Sequence, residues 1–499
     1  MLNFFKNYSL WLILILALGL RLPLLSGSFW LDEAAQVWES DRSWGEQLQI
    51  KEDFQPPLIH LIVHAALYVH RDEWWLRTFA ALIPGLIAVW GTYQLGRQLT
   101  KSEVGGAVAA SLLATSSFHI FYSQELRPYA LPTMWAVLSW WALVNFQPWH
   151  KAKWWWSFYA LTTIAGLYSS YLYPFLILSQ VTYGLFFHWR WWKTFVISYG
   201  VAGLAFLPWL PKFLEQLQVG GMVRQQMPGW EEVVSIPQLK SLPLVVAKFL
   251  FGVLNVEVTA FFVGVSVVMV SGLVLSLWIL YKHARTARPP QALMLTLIWL
   301  LVPLITSWII SFWIPVLQPK RVLYLLPGFY LFVSILVSEI KLNTKKMSTV
   351  VPYLLLVTLL LTNAWSTFNY YTQPTLQREN WRALYADVAA RYSASDTVLI
   401  FSFPGAFPSW EWYDSADYPF IATGVLHVDQ VKDLRATLQP LHNYRYVIIF
   451  DYLSDLSDPH QKIRAEVESY GYQSIEIIEY PVIGFVRVYA APNVTLSQK

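Results

Sequence analysis

The sequence contains no cysteine, so disulfides, thiolate metal sites and a cysteine nucleophile are all excluded. Charged residues are also scarce, since Asp, Glu, Lys and Arg make up 13% of the chain, whereas soluble domains carry about 25%. Long hydrophobic runs recur instead along the first three quarters of the sequence. These features predict a polytopic α-helical membrane protein.

The apolar runs predict eleven membrane-spanning helices. They cover residues 9–27, 77–97, 103–121, 128–147, 154–172, 173–188, 194–210, 259–281, 291–312, 322–340 and 348–367. Two further apolar segments, Pro56–His70 and Leu242–Leu254, are short for a span. Counting either as a span would invert all later loops against their charges, so we interpret both as interfacial or re-entrant helices on the outer face.

The lysines and arginines predict the orientation of these helices. The loops assigned to the cytoplasm hold thirteen bases and one acid, Glu103, whereas the first loop on the other side, residues 28–76, holds three bases and nine acids. The thirteen bases are Lys6, Arg97, Lys101, Lys151, Lys153, Arg190, Lys193, Lys282, Arg285, Arg288, Lys341, Lys345 and Lys346. The positive-inside rule therefore predicts a protein of the plasma or inner membrane with a cytoplasmic amino terminus.

The last quarter of the chain has a different composition. Residues 370–499 hold ten bases and fifteen acids, and they contain strand-like runs such as "DTVLIFSF", "RYVIIFDYL" and "FVRVYAAP" and an amphipathic helix, "ENWRALYADVAARY". We therefore predict a transmembrane catalytic domain over residues 1–369 and a soluble, extracytoplasmic α/β domain over residues 370–499.

An acidic pair, Asp32 and Glu33, follows the first apolar run in "SGSFWLDEAAQVW". This run could also be the core of a signal peptide cleaved after "SGS", but an uncleaved anchor would keep the acidic pair at the membrane. One interpretation of the pair is a helix N-cap, with Asp accepting from backbone N–H groups and Glu complementing the helix dipole. A carboxylate fixed at a helix start is also well placed to act as a general base, so both roles can hold together.

Three further outer-face stretches contain ionisable residues. In "EDFQPPLIHLIVH", His60 and His64 share a helix face, which suits either metal binding or ordinary packing. In "FYSQELRPYAL", Glu125 and Arg127 lie at membrane depth, where they form either a structural ion pair or a functional site. In "PKRVLYLLP", Lys320 and Arg321 are either snorkelling side chains or a site for an anionic headgroup.

The order of these motifs resembles the GT-C superfamily of glycosyltransferases. The resemblance rests on the "DE" pair after the first span, the "PPL" segment, "SQELRPYAL" after the third span and "PKRVLYLLP" before a late span. Within the superfamily the sequence is most similar to bacterial protein O-mannosyltransferase-like and aminoarabinose-transferase-like enzymes. It departs from them at Gln55, because the residue before "PPL" is often His in these families.

The resemblance implies specific roles for the candidate residues. Asp32 would be the catalytic carboxylate, with Glu33 in support. Arg127, Tyr129, Lys320 and Arg321 would hold the phosphate of a polyprenyl-phosphate sugar donor. Glu125 and His60 would be supporting residues.

The sequence and this resemblance together predict an integral-membrane glycosyltransferase that transfers a sugar from a polyprenyl-phosphate donor, with inversion, to a lipid, glycan or protein acceptor on the outer face. We expect contact with membrane lipid, no nucleic-acid partner and no required cofactor, although the sequence is compatible with a divalent cation. The alternatives are a transporter or flippase of lipid-linked sugars and a non-catalytic membrane scaffold. A transporter is less favoured because the predicted mid-span segments are nearly free of charge.

Overall fold

The computed structural model describes residues 2–50, 53–145, 153–189, 192–226, 238–255, 259–283, 291–343, 350–492 and 494. The chain divides into two compact units. The transmembrane unit comprises Met1–Ser26, Arg42–Glu215 and Ser235–Leu376. The α/β unit comprises Gly27–Asp41, Gln216–Val234 and Gln377–Lys499.

The first three quarters of the chain are helical. The α-helices there are α1 (Leu2–Gly19), α2 (Leu31–Ser40), α3 (Trp44–Gln47), α4 (Leu58–Leu67), α5 (Glu73–Arg77), α6 (Ile83–Thr100), α7 (Glu103–Thr115), α8 (Ser117–Tyr122), α9 (Ala130–Asn145), α10 (Lys153–Leu167), α11 (Tyr173–Phe187), α12 (Trp192–Phe206), α13 (Leu210–Gln226), α14 (Gln238–Phe251), α15 (Ala260–His283), α16 (Gln291–Ile310), α17 (Leu326–Asn343) and α18 (Val350–Thr372). A π-helical turn, Thr78–Leu82, joins α5 to α6, and 3₁₀ turns at Leu207–Trp209 and Lys320–Leu325 precede α13 and α17.

The structure confirms the predicted membrane fold class. Within the described residues, six helical segments are long and apolar enough to cross a membrane: Glu73–Thr100, Trp192–Met222, Ala260–Lys282, Gln291–Ile310, Lys320–Ile340 and Val350–Thr372. Each of the eleven predicted spans contains a helix, and so do the two segments predicted to lie at the interface, in α4 and α14. The number of helices that cross the membrane stays a prediction.

The orientation of the helices also stays a prediction. Several of the loop bases on which it rests lie outside the described residues, namely Lys151, Arg190, Arg285, Arg288, Lys345 and Lys346.

The first helix ends at Gly19, earlier than residue 27 as the apolar run predicts. The buried Arg21 folds back beyond this end and donates from Nη1 to the carbonyl oxygens of Ala17, at 2.8 Å, and Ala114, at 3.1 Å. These carbonyls lie at the carboxyl ends of α1 and α7, where the backbone lacks partners within the helix and a cation is favourable. A second buried arginine, Arg77, donates to the carbonyl of Leu25 at 2.9 Å and fixes the chain after α1.

The α/β unit contains one five-stranded sheet with strand order β2-β1-β3-β5-β4. The strands are β1 (Thr397–Phe401), β2 (Phe420–Ala422), β3 (Tyr446–Phe450), β4 (Gln473–Tyr480) and β5 (Gly484–Ala490). Its helices are α19 (Trp381–Arg391), α20 (Pro408–Tyr413), α21 (Leu434–Leu438), α22 (Ser454–Ser457) and α23 (Lys462–Ser469). β1 pairs in parallel with β2 and β3, whereas β5 is antiparallel to both β3 and β4.

The buried strands of this sheet are the ones that the sequence predicts. β1, β3 and β5 lie within the three strand-like runs, because buried strands appear in sequence as continuous apolar segments. Sequence analysis missed β2, which has three residues, and β4, whose polar residues alternate along an edge of the sheet. Neither has the apolar run that marks a buried strand.

The segment Gly27–Asp41 belongs to the α/β unit rather than to the helices that flank it in sequence. Its helix α2 packs against α20, and the side chain of Leu31 packs against a core that contains Trp381, Phe401 and Phe450. The predicted domain boundary at residue 369/370 assigned this segment to the membrane domain, so the structure places the segment differently.

The turn after α14 depends on a glycine. Gly252 has a φ of +67°, and a Cβ at this position would lie 1.8 Å from Oγ of Ser117. That hydroxyl accepts from the backbone N–H of Val253 at 3.1 Å and lies 2.5 Å from Oγ of Ser366 in α18. The turn therefore connects α8, α14 and α18.

We expect Gly252→Ala to destabilise the protein by about 1–3 kcal/mol, because alanine disfavours the left-handed backbone and its Cβ would collide with Ser117. The melting temperature in detergent micelles measures this effect. Gly264→Ala in α15 is the matched control, since a Cβ there has no described neighbour within 4 Å. Equal melting temperatures for the two variants would contradict the prediction.

Candidate active site

The four predicted phosphate-binding residues come together in the transmembrane unit. Nζ of Lys320 lies 5.7 Å from the ring centroid of Tyr129, and Arg321 interacts electrostatically with both Tyr129 and Arg127. The 3₁₀ turn that carries Lys320 and Arg321 packs against α9, which begins directly after Tyr129. Residues almost 200 positions apart in sequence therefore form one cluster, here called the basic cluster, of Arg127, Tyr129, Lys320 and Arg321.

Backbone contacts hold two members of the basic cluster in place. Arg321 donates from Nη1 to the carbonyl of Pro315 at 3.1 Å, which ties the 3₁₀ turn to the loop that precedes it. The backbone N–H of Tyr129 donates to the carbonyl of Arg127 at 2.8 Å, so these two residues share one tight turn. The cluster is thus built on short, hydrogen-bonded turns rather than on long loops.

Arg127 forms a two-pronged ion pair with Asp53. Its Nη2 and Nη1 lie 3.3 Å and 3.4 Å from the two carboxylate oxygens of Asp53, and both side chains are largely buried. Nε2 of His60 lies 3.2 Å from Oδ2 of the same carboxylate, and the Gln55 amide donates to that oxygen. The stretch "DFQPPLIH" therefore wraps around the Arg127 side of the basic cluster.

The Asp53 carboxylate is kept ionised by its neighbours. Burial raises the pKa of Asp53, but the charges and hydrogen bonds of Arg127 and His60 outweigh burial and hold this pKa well below its usual value. Asp53 therefore partly neutralises Arg127 and fixes the plane of its guanidinium. Because Asp53 already pairs with Arg127, any binding of a further anion by Arg127 depends on the other cations of the basic cluster.

The two histidines of α4 have different surroundings. His60 contacts Asp53 and Gln55, whereas the ring of His64 lies 4.3 Å from the ring of Trp44 and 5.1 Å from that of Tyr68. Glu125 is buried in the turn between α8 and α9, two residues before Arg127. Its supporting role stays a prediction.

The acidic pair lies in the α/β unit, in the first turn of α2. The N-cap position belongs to Trp30, so Asp32 is the second residue of the helix, and the interpretation of Asp32 as an N-cap is wrong. Aspartate in the first turn still complements the helix dipole. Glu33 is fully buried, whereas Asp32 is half-buried, so Asp32 is the carboxylate of the pair that solvent can reach.

A third carboxylate, Glu379, lies close to Asp32 in the same unit. Its Oε2 accepts from the indole Nε1 of Trp381 at 2.6 Å and from the backbone N–H of Leu31 at 3.4 Å, and its Oε1 accepts from the Tyr452 hydroxyl at 2.7 Å. Burial, opposed by these hydrogen bonds and reinforced by the charge of Asp32, raises the pKa of Glu379 to about 7.

Sequence analysis did not assign a role to Asp53 or to Glu379. Asp53 had a local signal, because it lies three residues before the "PPL" segment that the resemblance uses. Glu379 had none, because its contact with Leu31 joins residues 348 positions apart in sequence. Nothing in the local pattern of either segment indicates this pairing.

Comparisons with known proteins agree with the resemblance. The family of dolichyl-phosphate-mannose-protein mannosyltransferases matches residues 54–214, which is less than half of the chain. This match begins just after Asp53 and includes Arg127 and Tyr129. No curated protein matches the sequence.

Several solved structures have the same fold as this chain. ArnT from Cupriavidus metallidurans, bound to undecaprenyl phosphate, is 10% identical with a TM-score of 0.55, and the alignment covers 99% of each chain. The Archaeoglobus fulgidus oligosaccharyltransferase, tethered to an acceptor peptide, is 12% identical with a TM-score of 0.53, covering 99% of this chain and 76% of that one. The same enzyme in complex with Zn and sulfate is 13% identical with a TM-score of 0.51, covering 97% and 73%. The chain therefore has the GT-C fold, as its motifs predicted.

We expect Asp53→Asn to lower the stability of the protein at pH 7 by about 1–3 kcal/mol, because Arg127 would lose a charged hydrogen-bond partner. The lowered pKa of Asp53 means that its contribution is complete above pH 4 or so and is lost as the pH falls further. The difference in melting temperature between wild type and variant should therefore shrink when the pH is lowered from 7 to 3.

Asp455→Asn is the control, since Asp455 is exposed and has no hydrogen bond or ion pair of its side chain among the described residues. Its melting temperature should follow that of the wild type across this pH range. A deficit for Asp53→Asn that does not change with pH would contradict the assigned ionisation.

Proposed function

We propose that the protein is an integral-membrane glycosyltransferase that uses a polyprenyl-phosphate sugar as donor and an acceptor on the outer face of the membrane. The observation that carries this proposal is the basic cluster, in which Lys320 and Arg321 meet Arg127 and Tyr129. The latter two lie within the segment that matches the mannosyltransferase family. Cations near the end of a membrane helix suit the phosphate of a lipid-linked sugar.

The basic cluster acts on the leaving group. When the bond between the sugar and the phosphate breaks, its electron pair stays on the phosphate oxygen, and the phosphate gains negative charge. Lys320 and Arg321 stabilise this charge as it develops, while the Tyr129 hydroxyl offers a hydrogen bond. The support comes from the cluster itself and from ArnT, a protein of the same fold that binds undecaprenyl phosphate.

Asp32 acts on the acceptor. Its half-buried carboxylate takes the proton from the acceptor hydroxyl or amine while the acceptor atom bonds to the anomeric carbon. Attack on the face opposite the phosphate inverts the configuration in a single displacement. Glu33 is buried beside Asp32 in α2 and supports it, and no enzyme-bound sugar is needed.

The remaining predicted residues have supporting roles. His60 holds the Asp53 carboxylate, which in turn orients Arg127, and Glu125 supports the same turn. This chemistry requires no cofactor, because a phosphate is a good leaving group once its charge is balanced. A divalent cation is compatible with it, and the oligosaccharyltransferase of the same fold has been crystallised with Zn and sulfate.

The acceptor is a lipid, a glycan or a protein. The oligosaccharyltransferase of the same fold has been crystallised tethered to an acceptor peptide, which favours testing peptides first. We propose that the amino terminus is cytoplasmic and that the α/β unit is extracytoplasmic, in the plasma or inner membrane.

We expect Asp32→Asn to abolish sugar transfer with the fold intact, since the amide cannot accept the acceptor proton. Purified protein is incubated with a polyprenyl-phosphate sugar and an acceptor, and released polyprenyl phosphate is measured. Asp41→Asn, in the same segment, is the control and should retain activity. Near-normal turnover by Asp32→Asn would overturn its role as base, and no release by the wild type with any acceptor would favour a transporter or a scaffold.

Lys320→Gln should lower kcat roughly 10–100-fold, because one positioned charge then no longer stabilises the leaving phosphate. Inhibition by added polyprenyl phosphate should weaken in parallel. Lys101→Gln, an exposed lysine at the end of α6, removes the same charge elsewhere and should leave both quantities unchanged. If the two variants behave alike, the basic cluster does not hold the donor phosphate.

A further inference from the structure

Glu379 is an acceptor whose two oxygens are shared among three donors. It precedes α19 and is 6% exposed, and its partners are the backbone N–H of Leu31, the indole N–H of Trp381 and the Tyr452 hydroxyl. A buried carboxylate is costly unless such hydrogen bonds satisfy it. Glu379 and its three donors therefore form a buried hydrogen-bond network within the α/β unit.

The contact with Leu31 falls on the start of the helix that carries the acidic pair. Leu31 is the first residue of α2, and its N-cap residue, Trp30, supplies no side-chain cap within the described part of the chain. The first N–H groups of a helix lack partners within the helix. Glu379 satisfies one of them from a distant segment, and the next residue along the helix is Asp32.

Two further backbone contacts fix the chain just before α2. The N–H of Phe29 donates to the Tyr413 hydroxyl at 2.7 Å, and the N–H of Arg382 donates to Oγ of Ser28 at 3.1 Å. The side chain of Phe29 is fully buried, and its ring lies 5.5 Å from that of Trp412. Three of the four residues before Asp32, namely Ser28, Phe29 and Leu31, therefore contact the rest of the α/β unit through backbone or side-chain atoms.

The position of these contacts on the sheet is also informative. Tyr452 lies two residues after β3, and α20, which contains Tyr413, follows β1. β1 and β3 are neighbouring parallel strands, and the chain leaves β1 toward β2 on the other side, so their carboxyl ends form a topological switch point. In open α/β sheets this edge is where functional groups are placed. Here it holds the segment that leads to Asp32.

We propose that Glu379 is a positioning residue for the transfer reaction, which holds the amino-terminal turn of α2 so that the Asp32 carboxylate is fixed for catalysis. This inference rests on the proposed function, because it takes Asp32 as the base. It gives the α/β unit a direct part in the reaction, since the unit carries and orients the helix on which the base lies.

The chemistry of Glu379 allows charge and position to be separated. Burial raises the pKa of Glu379 to about 7, so near neutral pH it exchanges between a carboxylate that accepts from all three partners and a carboxylic acid that donates to one of them. Glutamine has the same shape, and its amide oxygen can accept from Leu31 and Trp381 while its NH₂ group donates to the Tyr452 hydroxyl. Methionine keeps similar volume but removes every hydrogen bond.

The test compares Glu379→Gln and Glu379→Met in the full-length protein, using released polyprenyl phosphate as the readout. Glu379→Gln should retain most of the wild-type kcat. Glu379→Met should lower kcat roughly 10²-fold, the scale expected for a misplaced catalytic group, with KM for the donor unchanged. A raised donor KM with unchanged kcat would overturn the proposal, as would full activity of Glu379→Met or inactivity of a folded Glu379→Gln.

A second pair of variants guards against misfolding of Glu379→Met. Tyr413→Phe removes the acceptor of the Phe29 N–H, whereas Tyr385→Phe removes a hydroxyl of the same unit that contacts Ser415 instead. At a temperature where both variants remain folded, Tyr413→Phe should lower kcat and Tyr385→Phe should not. Equal activity of both folded variants would overturn positioning by these tethers.

Asp32→Asn separates this inference from the proposed function. If Asp32→Asn is inactive while Glu379→Met is fully active, the base assignment stands and only the positioning role fails. If Asp32→Asn is active, both fail. Combining Asp32→Asn with Glu379→Met should cause no further loss, because the two residues act on one step.

Discussion

The cost of placing charge in a hydrocarbon environment is the constraint on which this structure depends. It leaves the long helices apolar and confines ionisable side chains to their ends, where each must be compensated. Arg21 and Arg77 meet this cost by binding backbone carbonyls. Arg127 meets it by pairing with Asp53. Glu379 lies in the α/β unit, where burial inside the protein has a similar cost, and it is compensated by accepting three hydrogen bonds. Hydrogen bonds and ion pairs of this kind also fix the orientation of the charged side chains, and a catalytic site requires such fixed side chains.

The same constraint explains the division of labour that we propose. The transmembrane unit holds cations in short turns at the ends of helices, a setting that suits the phosphate of a lipid. The α/β unit holds carboxylates on a helix that is tied to the carboxyl edge of its sheet. Asp32 and Glu379 differ in burial and in their neighbours, so one is available to solvent and the other serves as a fixed acceptor. Environment, rather than residue type, separates their roles.

Each motif that predicted the site is short and common. The prediction depended on the order of these motifs along the sequence, which resembles that of GT-C glycosyltransferases. Tyr129, Lys320 and Arg321 are predicted together and lie together in the structure. The prediction was wrong about the N-cap, because Trp30 occupies that position, and it missed Asp53 as the partner of Arg127. Both errors concern which atoms face each other, and residue spacing along a segment does not determine this.

By itself, the sequence determined the fold class, the positions of the helices and the buried strands of the α/β unit, because apolar periodicity reports directly on burial. Only the tertiary structure decided which distant residues meet. It assigned Gly27–Asp41 to the α/β unit and placed Glu379 against Leu31, 348 residues earlier. Such contacts depend on how whole helices and strands pack. A local sequence pattern indicates which residues of a segment are buried, but it does not indicate which distant segment they pack against.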